Sequence, residues 1–301
     1  MKIAFWSEEE QTATAWHTGL VACACALKYP LCVAVVPGGY SGEELEQDFL
    51  RGERSRTQLE QANGSAGGRR PQGLSADSSF LTGSQKEDCL LAAEQQEYFL
   101  AGGLDCLLSM MPEELTAPVI RGNMRQILAG SLYCLPGSRR KEREWWQEDP
   151  LFTGLKRVLD AVEHCFDVMF VDCGSRKDDV ARNLLSEADV CVLNMNQESE
   201  LIGEYYRNPP KFRGKTFFLI GNYFENSLYT RKNLERIYRV DEDMLGAVPY
   251  HPWLQAAGRT GRAGAEVQKY LGKNIRGKSV FFEQELARTA RLILKLAGVI
   301  Q

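Results

Sequence analysis

Phe166-Asp167-Val168-Met169-Phe170-Val171-Asp172-Cys173 is the stretch on which the fold turns. Its apolar core, Val168 to Val171, is too short for a helix, is rich in β-branched and aromatic residues, and ends in a carboxylate. A strand that is apolar on every residue is covered on both faces, as in a parallel sheet. Just before it, Leu151, Phe152, Leu155, Val158, Leu159 and Val162 recur at helical spacing and give a helix with one buried face. Downstream, further helix and strand units place strands at Val190 to Met195, Thr216 to Gly221 and Leu245 to Val248. Upstream, the apolar run Met1 to Ser7 leads through polar residues Glu8 to Thr12 into a helical stretch, Ala13 to Tyr29. A second apolar run, Leu31 to Val36, stops at Pro37-Gly38-Gly39. Gly103 to Leu108 reads as a short helix, and Ser131 to Leu135 as a strand closed by Pro136-Gly137-Ser138. The expectation is an α/β protein, a doubly wound and mainly parallel sheet with helices on both faces.

The chain has 301 residues, 44% of them apolar and 25% charged, the composition of an ordinary globular protein. A net charge of −4 disfavours nucleic-acid binding over the whole surface. No apolar run approaches the roughly 18 to 20 residues of a transmembrane helix, and no leader is recognisable, so a cytoplasmic protein is expected. The nine cysteines sit mostly inside apolar runs, which indicates buried thiols and no disulfide framework. From Ser41 to Asp88 few apolar residues recur and a Gly- and Ser-rich middle appears. The expected organisation is one domain over residues 1–301 with an exposed, flexible insertion at 41–88.

In order and spacing these pieces resemble the ParA/MinD branch of the P-loop nucleotide-binding proteins, in the SIMIBI class. The resemblance rests on the N-terminal strand, loop and helix, and on Leu135-Pro136-Gly137-Ser138. It rests also on Phe166 to Cys173, like the family's "YDyiiiD" strand, and on Gly246-Ala247-Val248-Pro249-Tyr250-His251-Pro252, like its "G-x-I-P-Y-D-P" turn. The family's phosphate loop, K-G-G-x-G-K-[ST], implies glycines that open backbone N–H groups to phosphates, lysines that neutralise charge, and a hydroxyl on Mg²⁺. Aligned without gaps, Glu9 to Ala15 puts Glu9 at the signature lysine, Thr14 at the second lysine and Ala15 at the hydroxyl. A one-residue slip brings Thr12 or Thr14 to the hydroxyl position, but no slip supplies a lysine. Glu8, Glu9 and Glu10 would face a triphosphate; one like-charge pair at about 4 Å costs roughly 4 kcal/mol at an effective dielectric near 20.

The family's "D-x-D-P-Q" strand end is replaced by Val36-Pro37-Gly38-Gly39, with no group to position water. The resemblance implies a vestigial nucleotide site at Thr12, Thr14, Asp172, Asn222 and Pro249, with Asp172 the Mg²⁺ contact if that ion is bound. Asp172 could equally hold its following loop through N–H bonds, and Asn222 and Pro249 could be turn residues. No catalytic residue and no cofactor is expected, ATP with Mg²⁺ being the alternative. The three histidines lack metal-ligand spacing, and Cys173 is a candidate reactive thiol only if exposed. Basic residues cluster at Arg139, Arg140, Lys141 and Arg143, and again at Arg259, Arg262, Lys269, Lys273, Arg276 and Lys278. They suggest a solvated face or, on family analogy, non-specific DNA binding through Arg259, Arg262 and Lys269. A last helix within Glu283 to Ile300 is expected to cover the sheet.

The resemblance is closest in character to the TadZ/CpaE group of pilus-assembly proteins. It implies a catalytically degenerate localisation or scaffolding protein, a homodimer that works with pilus or secretion machinery and is recruited to a membrane or cell pole by partners. The alternatives are an atypical ATPase and a DNA-partition protein.

Overall fold

A computed structural model describes residues 1–10, 12–38, 45–50, 102–138, 149–209, 212–272 and 280–301. The chain runs β1 (Lys2–Trp6), α1 (Thr14–Lys28), β2 (Val33–Pro37), α2 (Leu104–Leu108), α3 (Ala117–Gly122), β3 (Arg125–Leu128), β4 (Leu132–Cys134), α4 (Asp149–Glu163) and β5 (Val168–Asp172). It continues through α5 (Asp179–Glu187), β6 (Val190–Met195), α6 (Leu201–Arg207), β7 (Lys215–Tyr223), α7 (Arg231–Tyr238), β8 (Leu245–Pro249), α8 (Pro252–Gly258), α9 (Ala263–Leu271) and α10 (Val280–Leu296). Eight strands form one sheet in the order β3-β4-β2-β5-β1-β6-β7-β8. Every pairing is parallel except β3 with β4, an antiparallel edge that the apolar pattern does not announce because Arg125 and Gln126 are exposed.

The strands bury both faces, and alternate residues feed different cores. Ile3, Phe5, Val168 and Phe170 join one core with α1, α9 and α10, whereas Ala4, Met169 and Val171 join another with α2, α4 and α5. A third core lies under α6 and α7, filled by Leu193, Phe218, Ile220 and Leu245. Every residue of α1 from Thr14 to Ala26 is buried, which explains its small side chains; a Cβ on Gly19 would lie 2.4 Å from the Phe49 ring.

Phe49 belongs to residues 45–50, which are helical, with Leu45, Glu46, Phe49 and Leu50 buried. The start of the segment expected to be an exposed insertion is therefore part of the core, because Trp16 and Phe49 pack with ring centroids 5.6 Å apart. Residues 51–88 lie outside the described residues. The terminal helix covers the sheet, with Leu286, Leu292 and Ile293 buried and Thr289 Oγ1 bonded to both the N–H and the C=O of Ala247 (2.9 Å each). Among the described residues no helix is long and apolar enough to cross a membrane.

β1 sits between β5 and β6. From β1 the chain crosses through α1 toward β2, and from β5 it crosses on the opposite face through α5 toward β6. Where crossovers leave in opposite directions, loops part above the carboxyl ends of the strands and open the crevice in which α/β folds place their ligands.

Candidate functional site

The loop leaving β1 fills this crevice with its own bonds. Ser7 N–H donates to Gly174 O (2.9 Å), Glu9 N–H donates to Ser7 Oγ (3.1 Å), and Thr12 Oγ1 donates to Glu9 O (3.3 Å). Glu9 Oε2 accepts from the backbone N–H and the side-chain amide of Asn196 (3.3 and 3.1 Å). Glu8 and Glu10 face solvent. Ala13, just before α1, has φ +51°, the region that favours glycine; in the ungapped alignment it stands at the phosphate loop's second-lysine glycine.

Below the loop lies a buried polar network. Thr12 and Thr14 hydroxyls are 3.1 Å apart, and Asn194 Nδ2 donates to Thr12 O (2.8 Å) and to Thr14 Oγ1 (3.4 Å). Asn222 N–H donates to His17 Nε2 (3.2 Å), so the neutral ring carries its proton on Nδ1, which donates to Asn194 Oδ1 (3.0 Å). His17 is fully buried, and desolvation lowers its pKa from 6.5 to about 4 despite those bonds. Gly221 makes room for it: a Cβ there would lie 2.1 Å from His17 Cε1. Asn222 itself takes φ +48°, and its Oδ1 accepts from Gln255 Nε2 (3.3 Å).

On the other side of β1, Asp172 is buried and Oδ1 accepts the Gly174 N–H (3.1 Å), the loop-holding role an acceptor at a strand end can take. Over it, Arg176 forms a two-bond fork with Asp178 (2.9 Å each) and donates to Gly38 O (2.7 Å), while its carbonyl accepts Trp6 Nε1–H (2.6 Å). Asp178 also caps α5 by accepting Ala181 N–H (2.9 Å). Cys173 is fully buried, and burial raises its thiol far above the usual range, so it is not a reactive thiol. Burial likewise pushes Cys191 up to about 12.

Thr12, Thr14 and Asn222 thus meet in one network. Asp172 stands beyond β1 on β5, and Pro249 ends β8, paired in register with Tyr223. Arg259 and Arg262 are exposed around the turn between α8 and α9, and Lys269 pairs with Glu266 (2.6 Å). Arg139 to Arg143, Lys273, Arg276 and Lys278 lie outside the described residues. Among those described, no group of three or more His, Cys, Asp or Glu could hold a metal ion.

Four organising residues were given no site role from sequence: His17, weighed only for metal-ligand spacing, and Asn194, Arg176 and Asp178. A signal existed for two of them, since His17 interrupts an apolar helix and Asn194 an apolar strand. Arg176 and Asp178 look like any charged loop pair. At the far end of the crevice, by contrast, apolar groups face out. Phe224 (52% exposed) stacks on Tyr250 (42% exposed) at 5.0 Å, and Trp253 is 72% exposed. Gln197 fixes this shelf by accepting Phe224 N–H and donating to Phe224 O and Tyr229 O (2.9 Å each).

No protein-family model matches the chain, and no curated protein matches it in sequence. Solved structures match it throughout. A ParA family ATPase from Chlorobium tepidum TLS aligns with a TM-score of 0.59 at 12% identity, over 96% of this chain and 97% of that one. The septum site-determining protein MinD from Pyrococcus horikoshii OT3, complexed with Mg-ADP, gives 0.59 at 13% identity over 99% and 97%. A plasmid partition protein from Borrelia burgdorferi B31, bound to AMPPNP, gives 0.56 at 13% over 98% of each chain. The fold is that of the ParA/MinD P-loop proteins.

Proposed function

We propose that this chain is a catalytically degenerate relative of the ParA/MinD ATPases that acts as a localisation or scaffolding factor. The observation that carries the proposal is the β1–α1 loop. Where the family's motif has lysines and a free hydroxyl, Glu9 is clamped on Asn196, the Thr12 and Thr14 hydroxyls bond to each other, and Asn194 holds the loop from below. No Lys or Arg occurs from Ser7 to His17. A nucleoside triphosphate with Mg²⁺ does not fit this donor set, since its phosphates would meet glutamates and hydroxyls already engaged. The Arg176 guanidinium is engaged as well, bonded to Asp178 and Gly38.

What such a loop leaves is a rigid α/β body whose partners read its surface. Homodimerisation and partnership with pilus-assembly or secretion proteins of the TadZ/CpaE kind follow by analogy with degenerate proteins of this fold. Isothermal titration with ATP and Mg²⁺ tests the chemistry, with no saturable binding expected. A dissociation constant below about 10 μM, or turnover abolished by Asp172→Ala, would overturn the proposal. Sedimentation without nucleotide tests the assembly, with a dimer expected.

A further inference from the structure

α8 and α9 are joined by a tight turn in which Gly261 takes φ +68° and Arg262 N–H returns to Ala257 O (2.9 Å). Both helices are pressed onto the body by glycines. A Cβ on Gly258 would lie 2.7 Å from the Trp16 ring, and one on Gly264 would lie 2.6 Å from Ile127 Cγ2. That close backing turns their other faces outward, and a groove of about 870 Å³ opens between them. Its apolar lining comes from Ala256, Ala257, Ala265 and the exposed indole of Trp253. At its inner end Tyr270 packs on His251 (4.5 Å), and His251 packs on Phe282 (5.0 Å), so the floor is part of the core.

The rim is cationic in a chain of net charge −4. Arg262 lines the groove, and Arg259 is exposed at the end of α8, next in the chain to the lining residue Thr260; neither guanidinium meets an acceptor among the described residues. The third cation, Lys269, is neutralised by Glu266. We propose that this groove docks an amphipathic helix of a partner protein, with its apolar side on the alanines and Trp253 and its acidic residues on Arg259 and Arg262.

The apolar lining calls for an apolar occupant, because a largely exposed tryptophan gains most when desolvated by carbon, and tryptophan is the residue type most enriched where binding energy concentrates. A groove between two helices with alanine walls takes a third helix by its apolar stripe. The unpaired rim arginines select its charge, since carboxylates there would gain charge-assisted hydrogen bonds and lysines would meet like charge. A phosphate backbone would satisfy the arginines but leave the indole and alanines wet, so nucleic acid is the poorer occupant. The inference stands on this groove alone and does not depend on how the crevice treats nucleotides.

The test is a library of helical 18-residue peptides displayed on phage, selected on the full chain and counter-selected on Ala265→Trp, which fills the groove from a solvent-facing position. Expected are enriched peptides with apolar residues at i, i+3, i+4 and i+7 flanked by Glu or Asp. A synthesised member should bind at least tenfold more weakly to Ala265→Trp and to Arg262→Glu, and near normally to Arg262→Lys, with all three variants melting like the parent. No enrichment, an enriched pool of basic peptides, or equal binding to the filled groove overturns the proposal. So does a salt-sensitive shift of duplex DNA that Arg262→Glu abolishes, which assigns the cations to phosphate. Loss of a dimer in Ala265→Trp overturns it too, because a second copy is then the occupant.

Discussion

The two ends of the crevice treat their side chains in opposite ways. Above β1 and β5 most polar groups pair with one another, Glu9 with Asn196 at the surface and Thr12 with Thr14, His17 with Asn194 and Arg176 with Asp178 below it. Above β7 and β8 the apolar groups turn outward: Phe224 on Tyr250, then Trp253, with Leu228 86% exposed. Donors already matched internally have little to offer an anion, whereas Phe224 and Tyr250, though stacked on each other, leave apolar area in solvent. The first end belongs to the stability of the fold, while the second leaves apolar area in solvent.

That contrast can be broken by mutation, most severely at the inward end. Gly221→Ala puts a methyl into the buried His17 ring and strains two hydrogen bonds, so a loss of about 4 kcal/mol is expected from the midpoint of urea unfolding. A midpoint near the parent's would mean that the network is loose.

Acid acts on the same ring. In the folded chain His17 has a pKa of about 4, against 6.5 ordinarily, so between these values the unfolded chain takes up a proton that the folded one refuses. The contribution is complete above pH 6.5 and lost as pH falls toward 4, about 3 kcal/mol in all. Melting temperatures measured across this window should fall with acid in the parent and fall less in His17→Gln.

Arg176→Met leaves Asp178 nearly buried without its counter-charge and releases Gly38 O; a loss of about 2 kcal/mol is expected in chemical denaturation. At the outward end Leu228→Ser should change stability by less than about 0.5 kcal/mol. A larger loss there would show that the exposed shelf is structural after all and would erase the distinction between the two ends.

The parallel core was legible because buried strands announce themselves: Val168 to Val171 and Val190 to Met195 are apolar almost throughout, and the helix before them, Leu151 to Val162, keeps the 3.6-residue repeat. The antiparallel edge β3 was not legible, because an edge strand with Arg125 and Gln126 in solvent carries no apolar pattern. The burial of residues 45–50 escaped for a related reason. Three apolar residues, Leu45, Phe49 and Leu50, are too few to stand out beside a polar segment until Gly19 and Trp16 are seen to receive them. Of the candidate site, Thr12, Thr14 and Asn222 were identified from sequence, but the groups that unite them, Asn194 and His17, are 177 residues apart in the chain.

By itself the sequence determined the α/β class, the position of the β1–α1 loop and the absence of any lysine or arginine from Ser7 to His17. Those are matters of composition and of periodicity along the chain, and folding cannot add a cation to the loop. Only the tertiary structure decided what the remaining polar groups do. Hydrogen bonding and burial depend on which strands become neighbours, and β6 beside β1, with β7 beside β6, brings Asn194 and Asn222 to His17. The same packing backs α8 and α9 with glycines and opens the groove beside Trp253.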